Sequence, residues 1–255
     1  MNKKVSYIII ILITIITILF LVLLSNNDKK DNQAKITEKY LIIDNYSTWM
    51  YTNKWEKVNN SKISGKKLKT FINDELQGLT KLSFGSKWNL YNDNDEYIDY
   101  EGNFIAASPE LKLLINKYTV GEIDESDINE INQILNEDFT INDFTKKELI
   151  VSDLNNDGVS DYIINVSNLD NENALNYYNL IYAKIDGDIK IILNKKIKLK
   201  DYYSEPIYHI SEIININGKN EKYIILEKGY FSLAGKTGNV MYGYIDNNFK
   251  LVMED

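Results

Sequence analysis

Ile181 to Leu193 reads IYAKIDGDIKIIL, and Met241 to Met253 reads MYGYIDNNFKLVM. In both, apolar residues flank a turn built from Asp, Gly or Asn. That is β-hairpin chemistry. β-Branched and aromatic residues suit a pleated surface, and Asp-Gly or Asp-Asn accepts the positive φ that a two-residue turn requires. The stretches lie 60 positions apart, with Tyr182/Tyr242, Ile185/Ile245, Asp186/Asp246 and Lys190/Lys250 identical at that offset. Upstream, Tyr162-Ile163-Ile164 recurs as Tyr223-Ile224-Ile225 at an offset of 61. Residues 147–194 and 208–255 therefore read as two copies of one unit: strand, polar loop, strand, hairpin. Units of this size stack to bury sheet faces that neither copy buries alone.

The polar loop of the first copy reads Asp153-Leu154-Asn155-Asn156-Asp157-Gly158-Val159-Ser160-Asp161. It places oxygen-bearing side chains at positions 1, 3, 5 and 9, with glycine at position 6. Calcium prefers six to eight oxygen ligands, and such a loop presents them as the backbone winds round the ion. Gly158 suits the positive-φ turn that other residues resist, and the Val159 carbonyl adds a further oxygen. An EF-hand would place glutamate at position 12, where this chain has Ile164. The competing reading is an Asn/Asp/Gly turn that holds no metal.

With Glu148-Leu149-Ile150-Val151 before it and Tyr162-Ile163-Ile164 after it, this loop resembles those of FG-GAP and VCBS-type repeats. In those families a D-x-N-x-D-G-x-x-D loop joins neighbouring strands of β-propeller-like blades and holds calcium. The resemblance covers the C-terminal part, residues 146–255, and implies calcium ligation by Asp153, Asn155, Asp157 and Asp161. The second copy departs from it. Asn215-Ile216-Asn217-Gly218 lacks the leading acids, and only Glu221 remains near the end. Two units are also fewer than the four or more blades of a closed propeller.

At the other end of the chain, Val5 to Leu24 runs for twenty positions without a charge. As a helix it measures about 30 Å, the thickness of a hydrocarbon core. A cleaved signal peptide has a shorter apolar region of about 7–15 residues, followed by a small-residue cleavage site that is missing after Leu24. Lys3 and Lys4 precede the span without an acid, which keeps the N-terminus inside and sends the body out. The expected organisation is a cytoplasmic tip (1–4), a transmembrane anchor (5–24) and a polar tether (25–37). Beyond these come a β-rich region (38–108), a helical insert (109–145) and the two repeat units (146–255). In the insert, Ser108-Pro109 is expected to open a helix over Glu110 to Tyr118. A second helix carries Ile128, Ile131, Ile134 and Leu135, with Ser126 or Asp127 as its cap.

Composition removes several classes of chemistry. The chain has no cysteine, one histidine and no arginine, and its net charge is −8. Disulfides, thiolate sites and histidine-cluster zinc sites are excluded. An acidic body without arginine is a poor partner for phosphate backbones, so no nucleic acid is expected. His209 stands alone between strand residues, no nucleophile elbow seats a serine, and Ser232 to Gly238 lacks the spacing of a phosphate loop, so a plain loop is expected there. Trp49, Trp55 and Trp88 fit an aromatic core better than a glycan platform.

The sequence thus leads to a mainly β fold with a short helical insert (α+β), an N-terminal transmembrane helix and C-terminal propeller-blade-like β repeats. The expected role is binding or scaffolding at the bacterial cell envelope, toward an envelope protein or glycan, with calcium stabilising the body. The alternative is a wall- or polysaccharide-directed hydrolase using paired carboxylates. A third is an accessory subunit of an envelope complex, marked by a large exposed apolar patch.

Overall fold

Turn chemistry and alternation account for much of the architecture seen in the computed structural model, which describes residues 38–116, 118–169, 176–216, 222–230 and 233–255. The chain divides into residues 1–38 and a second unit, Lys39–Asp255. The expected tip, anchor and tether fall outside the described residues. Among those described, no helix is long and apolar enough to cross a membrane.

The first sheet is antiparallel and uses β1 (Lys39–Ile43), β2 (Ser47–Tyr51), β3 (Trp55–Lys57), β4 (Lys67–Ile72), β5 (Glu75–Phe84), β6 (Trp88–Tyr91), β7 (Tyr97–Ile98) and β8 (Phe104–Ala107). Its order is β3-β2-β1-β8-β4-β5-β6-β7. The β4–β5 turn places Asn73 and Asp74 at φ 47° and 65°, the left-handed pair that a tight hairpin needs. Trp49 and Trp88 are fully buried in the cores on the two faces of this sheet. They are packing residues.

The segment after β8 departs from expectation. Pro109–Leu111 is a single 3₁₀ turn, and Lys112 at φ 47° ends it. The chain then extends as β9 (Leu114–Ile115) and β10 (Thr119–Gly121). A helix over Glu110 to Tyr118 would have given up one of two gains. Leu111 and Leu113 are buried in a core shared with the last sheet, and β9 pairs with a strand nearly a hundred positions away. Tertiary burial overrides local propensity here. The helix α1 (Glu125–Leu135) does form, burying Ile128 and Ile131. Its cap is Asp124, not Ser126 or Asp127. Asp124 accepts from the Ser126 and Asp127 amides, while the Asp127 carboxylate accepts from the Asp124 amide.

Two antiparallel meanders complete the unit. The first runs through β11 (Lys146–Ser152), β12 (Asp161–Ser167), β13 (Asn176–Ile185) and β14 (Asp188–Lys198), with β10 on its β11 edge. The second runs through β15 (Ile207–Asn215), β16 (Lys222–Tyr230), β17 (Leu233–Ile245) and β18 (Asn248–Glu254), with β9 on its β15 edge. Their last hairpins correspond in detail. Each carries an irregularity at the same place, between Ile181 and Tyr182 and between Met241 and Tyr242. Each turns on two left-handed residues, Asp186-Gly187 and Asp246-Asn247.

The layers arise from which side of each strand is apolar. Ile163 and Ile181 of the first meander pack against Ile224 and Leu226 of the second. The far face of the first meander, through Ile164, Val166 and Tyr182, is covered by α1. The far face of the second, through Tyr223, Ile225 and Met241, meets Leu41, Trp49 and Phe71 of the first sheet. β12 and β16 are thus covered on both faces, which is why their apolar residues run consecutively instead of alternating. Burying each such isoleucine contributes about 1.5–3 kcal/mol. Lys236, expected in a loop, continues β17 and crosses to the first sheet. The molecule is mainly β, and α1 is its one α-helix among the described residues.

Candidate functional site

Asp153 to Asp161 joins β11 to β12, and the ladder fixes its ends by pairing Ser152 with Asp161. Leu154 is fully buried between the meanders, so the loop is pinned to the core at its second residue. Asn156 (φ 61°) and Gly158 (φ 87°) make the two left-handed steps that curl it. A side chain at Gly158 would meet nothing, so glycine serves backbone conformation there, not space.

The structure turns the loop's oxygens inward, onto amide groups. Asp153 accepts from the Asp157 amide at 3.2 Å through Oδ1 and from the Gly158 amide at 3.1 Å through Oδ2. Asn155 Oδ1 accepts from the Asp157 amide at 3.1 Å, and Asp157 Oδ1 accepts from the Val159 amide at 2.7 Å. Asp161 Oδ2 closes the ring by accepting from the Leu154 amide at 2.7 Å. The Val159 amide, then the Asn155 side chain, hold the Asp157 carboxyl below the usual carboxylate range. Burial lifts Asp161 above it, and the charges of Asp157 and Asp153 add to the rise. Asp161 is the loop's one buried acid, and it feels the other two.

Two residues that the sequence reading passed over reach this loop. Asp186, from the β13–β14 turn, accepts from Asn155 Nδ2 at 3.2 Å, while the same amide donates to Asp157 Oδ2 at 3.0 Å. Lys222, at the head of β16, donates to the Asp153 carbonyl at 2.5 Å. Neither could be found from spacing, because each comes from a different hairpin. The donor set of Asp153, Asn155, Asp157, Val159 and Asp161 is hard oxygen, the chemistry calcium takes. Yet among the described residues no three Asp, Glu, His or Cys side chains gather closely enough to hold a metal ion. In this arrangement the Asn155 amide group stands between two carboxylates and donates a hydrogen bond to each.

Other polar groups are brought together away from the loop. Glu212 sits at the irregular step of β15 and is buried. Burial, together with the charge and hydrogen bond of Asp74 from the β4–β5 turn, pushes its carboxyl up to about 8. Asp44 and Lys236 form a buried ion pair at 2.5 Å, and Asp44 also accepts from the Phe104 amide at 2.8 Å. His209 Nδ1 lies 3.2 Å from the Lys146 ammonium. These groups tie one sheet to another. No known protein family matches the chain, and neither a curated protein nor a solved structure is found to be similar to it.

Proposed function

We propose that this chain is a membrane-anchored extracytoplasmic protein whose layered β body binds or scaffolds at the bacterial cell envelope, and that the 153–161 loop takes up calcium. The observation that carries the calcium reading is that the Asp186 and Asp157 carboxylates lie 3.2 Å and 3.0 Å from one shared nitrogen, Asn155 Nδ2. Turning the Asn155 side chain over would replace that amide by an oxygen. A cation would then face Asp153, Asn155, Asp157 and Asp161, with the Val159 carbonyl and Asp186 beside them. Burial is the main cause of the lift on Asp161, and cationic charge would relieve the repulsion from Asp157 and Asp153 that adds to it. The anchor rests on the uncharged run Val5 to Leu24.

Calorimetric titration of the full-length chain with calcium tests the loop, and Asp157→Ala should abolish the heat. Absence of heat in the unmodified chain at millimolar calcium overturns it. Protease added to intact protoplasts tests the topology; it should remove the body and leave a short membrane stub, and a protected body refutes the orientation.

The hydrolase alternative finds its best carboxyl pair in Asp74 and Glu212. Those groups are hydrogen-bonded to each other, closer than the roughly 5 Å or more that glycoside hydrolysis needs. Of Trp49, Trp55 and Trp88, the candidates to grip a glycan, Trp49 and Trp88 are fully buried and Trp55 is partly buried. Binding or scaffolding is therefore the better-supported role. Turnover of peptidoglycan by the purified chain, lost in Glu212→Gln, would reverse that judgement.

A further inference from the structure

A polar pocket of about 400 Å³ opens between the two meanders beside the loop, walled by Asn116, Tyr118, Ser152, Asp153, Ser160 and Lys222. Its volume lies in the range of about 300–1,000 Å³ that small-molecule sites occupy. Two of its groups lack the partners that buried polar atoms normally have. Lys222 is only 7% exposed, and its ammonium meets the neutral Asp153 carbonyl without an ion pair among the described residues. Asn116 Nδ2 is wholly enclosed and donates to no acceptor among them. An ammonium has three N–H groups, and burying its charge without an anion is strongly unfavourable.

The Asp153 side chain does not supply that anion. Both oxygens of Asp153 are bound to the Asp157 and Gly158 amides, which turns its carboxylate into the loop and leaves its carbonyl toward Lys222. The pocket wall therefore offers one positive charge and the hydroxyls of Ser152, Ser160 and Tyr118, with the unpaired Asn116 amide enclosed behind them. At the Tyr118 end the surroundings are negative. Burial chiefly keeps the Tyr118 phenol protonated, and the carboxylates of Asp74 and Glu148 act in the same direction. One cation with acids behind it suits a single negative charge and disfavours a dianion. The hydroxyl-rich remainder of the wall suits hydroxyl groups more than hydrocarbon.

We infer that this pocket binds a small hydroxylated monocarboxylate of the sugar-acid class, with its carboxylate on Lys222 and its hydroxyls toward Ser152, Ser160 and Tyr118. The site goes beyond the calcium reading, since it rests on Lys222 and not on the carboxylates of the loop.

The test uses the full-length chain in detergent, titrated with sodium glucuronate, glucose and inorganic phosphate by calorimetry and saturation-transfer NMR. Glucuronate should bind, with glucose and phosphate weaker by at least about tenfold, the ratio expected from one charge-assisted hydrogen bond. Lys222→Met should lose that preference. Because Lys222 is buried, its variant is paired with Thr119→Glu, at an exposed pocket-lining position outside the calcium loop, where a new carboxylate repels the ligand. That variant should weaken glucuronate by a similar factor while its melting curve stays unchanged. Four results would each overturn the assignment. They are no binding at concentrations of about 10 mM, equal affinity for glucose, tighter binding of phosphate, or a Thr119→Glu affinity equal to that of the unmodified chain.

Discussion

The two meanders share a backbone plan and differ in the charge at one corresponding position. Asp161 heads β12 opposite Ser152, and Lys222 heads β16 opposite Asn215, 61 positions later. In the first meander the buried acid closes a loop rich in oxygen. In the second a buried lysine takes that place and reaches across to the first loop's Asp153 carbonyl. The hairpins beyond are alike down to their irregular step and left-handed turn. Only Asp186 turns toward a loop acid's partner, whereas its counterpart Asp246 pairs with Lys250 at 2.7 Å. A sheet scaffold, held by packing and turn residues, thus tolerates reversal of charge at its loop end. Function can diverge there while the fold stays.

That comparison can be broken most forcefully in the second meander. Lys236 and Asp44 are buried together, so Lys236→Met should cost about 3–5 kcal/mol by stranding the carboxylate. Asn176, at the 60-residue offset in the first meander, is only partly buried, and Asn176→Ala should cost far less. Urea denaturation of both variants measures the difference, and equal losses would mean the meanders contribute alike at this edge.

Acidity gives the next effect. Because folding pushes Glu212 up to about 8, from an ordinary value near 4.5, the folded chain binds a proton that the unfolded chain releases between those limits. Stability is therefore greatest below the ordinary value and falls as pH rises toward 8, by at most about 1.4 kcal/mol per unit. Asp157 and Asp161, on the other meander, act in opposite directions because one is lowered and the other raised. Glu212→Gln should flatten the melting-temperature profile between pH 5 and 8, whereas Asp157→Asn should leave that slope in place. An unchanged slope in Glu212→Gln would remove this group as its source.

Calcium sharpens the contrast between the turns. At a hundredfold excess over Kd, a ligand confined to the folded state adds about 2.7 kcal/mol. Asp186→Ala should reduce the calcium-dependent rise in melting temperature and Asp246→Ala should leave it unaltered. Equal effects would separate Asp186 from the loop. The smallest change is expected from Lys250→Ala, which removes a solvent-exposed pair and should shift stability by no more than about 1 kcal/mol. A larger loss on thermal denaturation would show that this hairpin depends on its surface charges.

Hairpins were legible in the sequence because their causes are local. Asp186-Gly187 and Asp246-Asn247 carry their own turn chemistry, and the apolar β-branched and aromatic residues on either side favour strands. The oxygen-rich loop was legible for the same reason, since Asp153, Asn155, Asp157, Gly158 and Asp161 lie within nine positions. The helix expected over Glu110 to Tyr118 failed because its Pro and cap describe only the first turn. Beyond that turn, the burial of Leu111 and Leu113 and the pairing of β9 with β15 decide the path of the chain.

The amino-acid sequence by itself determined the β class, the hairpin turns of the two meanders, the helix over Ile128 to Leu135 and the chemistry available to the loop, all of which depend on residues a few positions apart. Tertiary structure alone decided that Lys236 meets Asp44 across 192 positions, that Glu212 shares a hydrogen bond with Asp74, and that Lys222 and Asn116 face one pocket. Such meetings arise from how twisted sheets stack. Burial is indifferent to separation along the chain, so local patterning says which faces must be covered and not which face will cover them.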